Sequence, residues 1–265
     1  MSTAAPYDEI AEWYGEWIRD GALLHDFILP TVRDLVGDIR GQRVCDLACG
    51  QGSVARQLAG GGAVVSDVDI SSRLLELARS YEAENPAGIE YMWGDAQKLP
   101  EIPDESFDGM VCNMALMNIL SLPPTLDTVA RILRPRGSFV FSIVHPCFRA
   151  PGSKLAEDAA EDTAWEISGY YHEGFWSSDD PRGIRGKIGS HHPTISAYLN
   201  VLSQAGMTVE RCAEPRRGQV CPVDSHLQGA PIGAGGATQE VVGQMGSEEE
   251  TSGESMRKYT PHAES

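Results

Sequence analysis

The sequence predicts an α/β fold, a mostly parallel sheet with helices on both faces, on three observations. Strand-like and helix-like apolar patterns alternate from 41 to 143, as parallel strands joined by crossover helices require. The run Val44-Cys45-Asp46-Leu47-Ala48-Cys49-Gly50-Gln51-Gly52-Ser53 reads as a buried strand breaking into a glycine loop that opens a helix. With 265 residues and 42% hydrophobic content, the chain is long enough for one domain with a large core.

From the N-terminus, Tyr7, Ile10, Trp13, Tyr14 and Trp17 recur at intervals of three or four, and Leu24, Phe27 and Ile28 continue after Gly21, so helices precede the first strand. In the loop after that strand, Gly50, Gly52 and the small Ala48 allow close backbone approach, and the helix start offers unsatisfied N–H groups. A dinucleotide fingerprint would place glycine where Ser53 stands, which weakens a pyrophosphate reading. The second strand, Ala63-Val64-Val65-Ser66-Asp67-Val68-Asp69, ends in a carboxylate about 20 residues on, where an acid meets a ribose diol. Asp69 is the better candidate because Ile70-Ser71 and the next helix follow it, with helix capping as the competing role; Asp67 is expected to be a solvated neighbour. The third strand runs to Trp93 and leads into Gly94-Asp95-Ala96, where Asp95 is placed to accept from an adenine amine or to serve as a plain turn residue.

Further along, Leu74, Leu75, Ala78 and Tyr81 mark a helix after Ser71, and Leu122 to Leu133 supplies a later crossover. Strand Phe139-Val140-Phe141-Ser142-Ile143 ends at His145-Pro146-Cys147-Phe148. The stretch 149–190 carries Trp165, Tyr170, Tyr171, Phe175 and Trp176 among acids and glycines and is assigned as a substrate lid, since it leaves the sheet at its carboxyl end. A helix from Thr194 stops at Gly206, and Met207-Thr208-Val209-Glu210-Arg211 is the sixth strand.

The segments DLACGQG (46–52), DVDIS (67–71), GDAQKLP (94–100), ESFDGMVCNMAL (105–116) and ILRPRGSFVFSIVHPCF (132–148), in that order, resemble class I S-adenosylmethionine-dependent methyltransferases, in particular the type 11 small-molecule group. The resemblance covers about 45 to 215. It implies a Rossmann-like sheet with N-terminal capping helices, a lid insertion after strand 5, and S-adenosyl-L-methionine as cofactor. It also implies that Asp46 anchors the loop, that Ala48 and Gly50, with Gly52 in the same loop, face the methionine moiety, and that Asp69 takes the ribose hydroxyls with Ile70 beside it. Asp95 then meets the adenine amine, Ala96 gives the ring a backbone N–H, Asn113 lies near the sulfonium, and Tyr14 reaches the ligand from the N-terminal helices.

Two departures stand out. Pro135-Arg136-Gly137 replaces the usual Pro-Gly-Gly, and arginine suits a positive φ poorly, so a different turn type is expected. The family also places a final antiparallel strand beside the fifth, but 218–265 holds no convincing alternating apolar run; the best candidate, Ala237–Val242, is poor and that strand is doubtful. The expected organisation is 1–40 capping helices, 41–148 cofactor-binding core, 149–193 lid, 194–217 last helix and strand, and 218–265 a largely disordered acidic tail. The abrupt change of composition near Arg217 suggests that this tail is not the ancestral end of the fold.

A net charge of −17 argues against nucleic acid and against an anionic membrane surface as partners. Six cysteines without a CxxC pair imply a reduced, cytoplasmic setting, and since Asp8, Glu9 and Glu12 break the charged-then-apolar pattern of a secretory signal and no apolar stretch approaches membrane-spanning length, a soluble protein is expected. The expected partner is a small-molecule acceptor, with a homodimer left open. The expected reaction is methylation of O or N ahead of C, in secondary metabolism. Where such an acceptor needs a base, neutral histidine is the natural choice: His145 at the end of strand 5, and His191 and His192 at the lid exit, with His145 and His192 assigned as catalytic. No carboxylate stands at ligand spacing from them, so no metal is expected. The rival readings are a non-catalytic S-adenosylmethionine-binding module, made credible by the doubtful strand, and a nicotinamide-dependent oxidoreductase, disfavoured by Ser53.

Overall fold

A computed structural model describes residues 5–19, 23–156, 164–215 and 240–247. A 3-10 turn (Pro6–Ile10), α1 (Ala11–Arg19) and α2 (Leu23–Val36) precede β1 (Arg43–Leu47), α3 (Ser53–Gly60), β2 (Val64–Asp69), α4 (Ser72–Glu84) and β3 (Glu90–Trp93). Next come β4 (Phe107–Asn113), α5 (Leu122–Ile132) and β5 (Leu133–Val144). Then come β6 (Lys154–Leu155), β7 (Trp165–Glu166), β8 (Gly174–Trp176), α6 (Ile184–Ile188) and β9 (Ser190–His192), and α7 (Ile195–Gln204), β10 (Met207–Ala213) and β11 (Glu240–Ser247) follow.

Seven strands form one sheet in the order β10-β11-β5-β4-β1-β2-β3. The five from β3 to β5 are parallel, and each of their strands sends alternate side chains to opposite faces. Val44, Val65, Val111 and Val140 pack under α2 and α3, whereas Cys45, Leu47, Met110, Cys112 and Phe141 pack under α5 and α7. Both faces are covered, which is why these strands read as nearly unbroken apolar runs. The chain leaves β1 toward β2 on one side and returns through β4 on the other, so a crevice opens beyond the carboxyl ends of β1 and β4. None of the described helices is long and apolar enough to cross a membrane.

Three expectations need correction. The final antiparallel strand is present: β11 pairs with β5 from Glu240–Val144 to Gly246–Ser138 and with β10 on its other edge. Its own sequence, with Gly243 and Gly246, lacks an alternating pattern, and the backbone ladders on both sides supply the order instead. The segments 218–239 and 248–265 of the expected tail lie outside the described residues.

The second correction is Arg136, which does adopt a left-handed conformation, with φ of 65°. Leu133 pairs with Phe107 and Ser138 pairs with Gly109, so the intervening residues must bulge between two fixed rungs. Third, Asp67 is not solvated but fully buried, beside Asp46 in the register of β1 and β2. Burial and the nearby carboxylates push both acids well above the usual carboxylate range.

The placement of β11 generates a direct expectation. Its backbone amides should exchange with deuterium as slowly as those of β10; exchange at free-peptide rates would remove the strand from the sheet.

Candidate functional site

At the switch point, the loop after β1 turns on three left-handed residues, Ala48 at φ 57°, Gly50 at 58° and Gly52 at 74°. A non-glycine residue in this region is strained, and Met114 at the end of β4 repeats the feature at φ 56°. Both strained residues line a cavity of about 600 Å³ that occupies the crevice.

Asp69 holds the loop in place. Its Oδ2 accepts the Gly50 N–H at 2.8 Å and its Oδ1 accepts the Ser71 N–H at 2.7 Å, so one carboxylate ties the ends of β1 and β2 to the start of α4. Burial raises its pKa to about 6, against the lowering effect of these two hydrogen bonds. Ser71 in turn caps α4 through the Leu74 N–H and donates to Asp8, which docks the N-terminal turn over the site. The sequence candidates Tyr14, Ala48, Gly50, Asp69, Ile70 and Asp95 all line the cavity, as do Ala96 and Asn113.

Two candidates act from behind the wall. Asp46 accepts the Ala55 N–H at 3.1 Å and so fastens the start of α3 to β1, which fits an anchoring role. Gly52 starts α3, and a Cβ there would stand 3.0 Å from the Tyr91 ring, so the turn needs glycine. At the far side, Asp95 accepts from the Gln97 backbone and side chain, each at 3.0 Å. Ser142 donates to Asn113 Oδ1 at 2.7 Å, orienting that amide at the end of β4.

Neither histidine assigned as catalytic faces the cavity. His192 is buried, with Nε2 2.9 Å from the Tyr170 carbonyl. His145 points to Glu214, 3.1 Å away, and packs on Phe148. The antiparallel β8–β9 pair, joined through α6, instead turns Phe175 and His191, which are paired in register, toward the cavity. Burial lowers the pKa of His191, so its imidazole is neutral at neutral pH. Sequence reasoning also passed over Asn118, which donates to the Tyr7 hydroxyl at 3.1 Å on the cavity wall; its only signal is a polar side chain within an apolar run.

Residues 45–141 match the family model described as methyltransferase domain. A solved S-adenosylmethionine-dependent methyltransferase from Mesorhizobium loti is 27% identical, with a TM-score of 0.64 over 82% of this chain and 96% of that one. The chain carries an S-adenosylmethionine-dependent methyltransferase domain. Relatives of this methyltransferase domain include a demethylmenaquinone methyltransferase from Symbiobacterium thermophilum, 39% identical over 38% of this chain and 41% of that one. A ubiquinone biosynthesis O-methyltransferase from Alkalilimnicola ehrlichii is 29% identical over 50% of this chain and 53% of that one. The chain thus spans about half the length of these two relatives.

The residues present fit the cofactor of the methyltransferase domain. The open backbone at Ala48 and Gly50 suits a sulfonium amino acid, Asp69 a ribose diol, and Asp95 with exposed apolar Ile70 a flat base bearing an amine. An ionised Asp69 accepts hydroxyl hydrogen bonds and a protonated one does so poorly, so affinity for S-adenosylhomocysteine should fall as pH drops through about 6. Asp69→Asn should weaken binding at pH 7.5 by about 1.5–3 kcal/mol, roughly 10- to 100-fold, and flatten that pH dependence in calorimetry. Unchanged affinity would remove Asp69 from the site.

Proposed function

We propose that this methyltransferase transfers a methyl group to oxygen or nitrogen of a small-molecule acceptor, with His191 as the general base, in secondary metabolism. The observation that carries the reading is one continuous cavity: the glycine loop and the two acids line one part of it, and Phe175, Ser190 and His191 of the lid line another. S-adenosylmethionine, when bound, supplies an already activated methyl group. The chain then has to align the acceptor, exclude water and, for a hydroxyl or phenol, remove a proton.

The β8–β9 pair is tied to its neighbours at the crevice. Ser190 donates to the Met117 carbonyl at 3.2 Å, and Glu173 accepts from both the backbone and the hydroxyl of Thr194 at 2.8 and 2.6 Å. Phe175 lies edge-to-face with His191 at 5.3 Å, giving the acceptor an apolar face next to a neutral base. The O-methyltransferase name of the Alkalilimnicola ehrlichii relative supports oxygen as the target. The presence of β11 removes the ground on which a non-catalytic module was credible.

Methyl incorporation from radiolabelled S-adenosylmethionine, screened over phenols, alcohols and amines, tests the reading. His191→Gln should lower turnover by about 10²- to 10⁴-fold with unchanged S-adenosylhomocysteine affinity. Wild-type kcat/KM should fall on the acid side, where the imidazole protonates, below the ordinary histidine value because burial lowers it. Full turnover in the glutamine variant would exclude His191 as base.

A further inference from the structure

Asp95 stands on the cavity wall with its main chain fixed on both sides. The Gly94 N–H donates to the Asp69 carbonyl at 3.0 Å, which fastens the end of β3 to the end of β2, and the Lys98 N–H donates to the Asp95 carbonyl at 2.9 Å. With the backbone held, the direction of the carboxylate depends on what grips it. Both grips come from Gln97, whose backbone N–H and Nε2 each donate to Oδ1 at 3.0 Å. The first bond closes an Asx turn, which any residue but proline could make at this position, whereas the second needs a side-chain donor of this length. Gln97 itself lines the cavity. Among the described residues nothing donates to Oδ2 of Asp95.

Two donors on one oxygen remove the freedom of a carboxylate to swing and to offer either oxygen. Oδ1 is taken, the plane of the group is set, and Oδ2 is left to accept from the cavity. A carboxylate accepts hydrogen bonds and has none to give, so the open oxygen matches an amine and meets a carbonyl oxygen with lone pair against lone pair. The apolar contacts offered by Ile70 and Val68 on the same wall are equally good for any flat base and cannot make this distinction.

We propose that Gln97 is a positioning residue that makes the adenosyl end of the cavity selective for an amino purine over an oxo purine. It acts through Asp95: the Nε2 bond keeps Oδ1 occupied and Oδ2 presented, so that the nucleoside is read by its exocyclic group rather than by its shape alone. The adenosyl compound is accepted and its deaminated counterpart, identical in ribose and amino acid, is rejected. The proposal rests on the methyl-transfer reading, which brings the adenine amine to Asp95.

Calorimetry on the full chain, titrated with S-adenosylhomocysteine and with S-inosylhomocysteine, tests it. The wild type should favour the adenosyl compound by about 100-fold or more, because the oxo purine leaves Oδ2 unpaired against an oxygen. Gln97→Ala should narrow that ratio by about tenfold, through weaker S-adenosylhomocysteine binding with S-inosylhomocysteine binding unchanged. Gln97→Glu, which keeps the size of the side chain but sets a second carboxylate against Asp95, should narrow it at least as far. Equal affinity of the wild type for the two compounds, a ratio unchanged in either variant, or a loss shared equally by both compounds would each overturn the positioning role, the last because a side chain that only supports the loop weakens both alike. Failure of S-adenosylhomocysteine to bind the wild type would instead overturn the methyl-transfer reading beneath it.

Discussion

One carboxylate organises this molecule's functional end. Asp69 accepts the Gly50 N–H with one oxygen and the Ser71 N–H with the other, and these two bonds join a strained loop, two strand ends and a helix start. The loop holds Ala48 in a left-handed conformation that a free chain would avoid, so something must over-determine it. The bond from Gly50, the Cys49 N–H donated to the Val68 carbonyl at 3.1 Å, and Asp46 gripping the start of α3 do so together. Without Asp69 the crevice between β1 and β4 would lose its shape.

The same region concentrates charge where the fold can least solvate it. Asp46, Asp67 and Asp69 are all buried under the loop, and desolvation raises the pKa of each. A protein selected only for stability would replace such groups with apolar ones. Asp69 lines the cavity, and Asp46 and Asp67 lie behind it, so the cost is concentrated at the site.

Much of this was legible in the sequence, for local reasons. Glycine spacing, an acid at a strand end and a serine before an apolar helical stripe are signals carried within a few residues, and they located β1, β2, the loop between β1 and α3, and α4. What failed depended on distant partners. The histidine facing the cavity follows from the pairing of His191 with Phe175, a strand register invisible in an adjacent pair of histidines. His145 is drawn aside by Glu214, 69 positions later, and β11 owes its place to ladders with β5 and β10 rather than to its own pattern. Arg136 is held left-handed by pairing on either side of it, against its intrinsic preference.

The most direct test of the central claim is a crystal structure of the complex with S-adenosylhomocysteine. The account requires the ribose hydroxyls within hydrogen-bonding distance of Asp69, the adenine amine beside Asp95, and the sulfur at the end of the cavity near Asn113. Density for the nucleoside anywhere else, or a loop that releases the Gly50–Asp69 bond when the ligand binds, would contradict it.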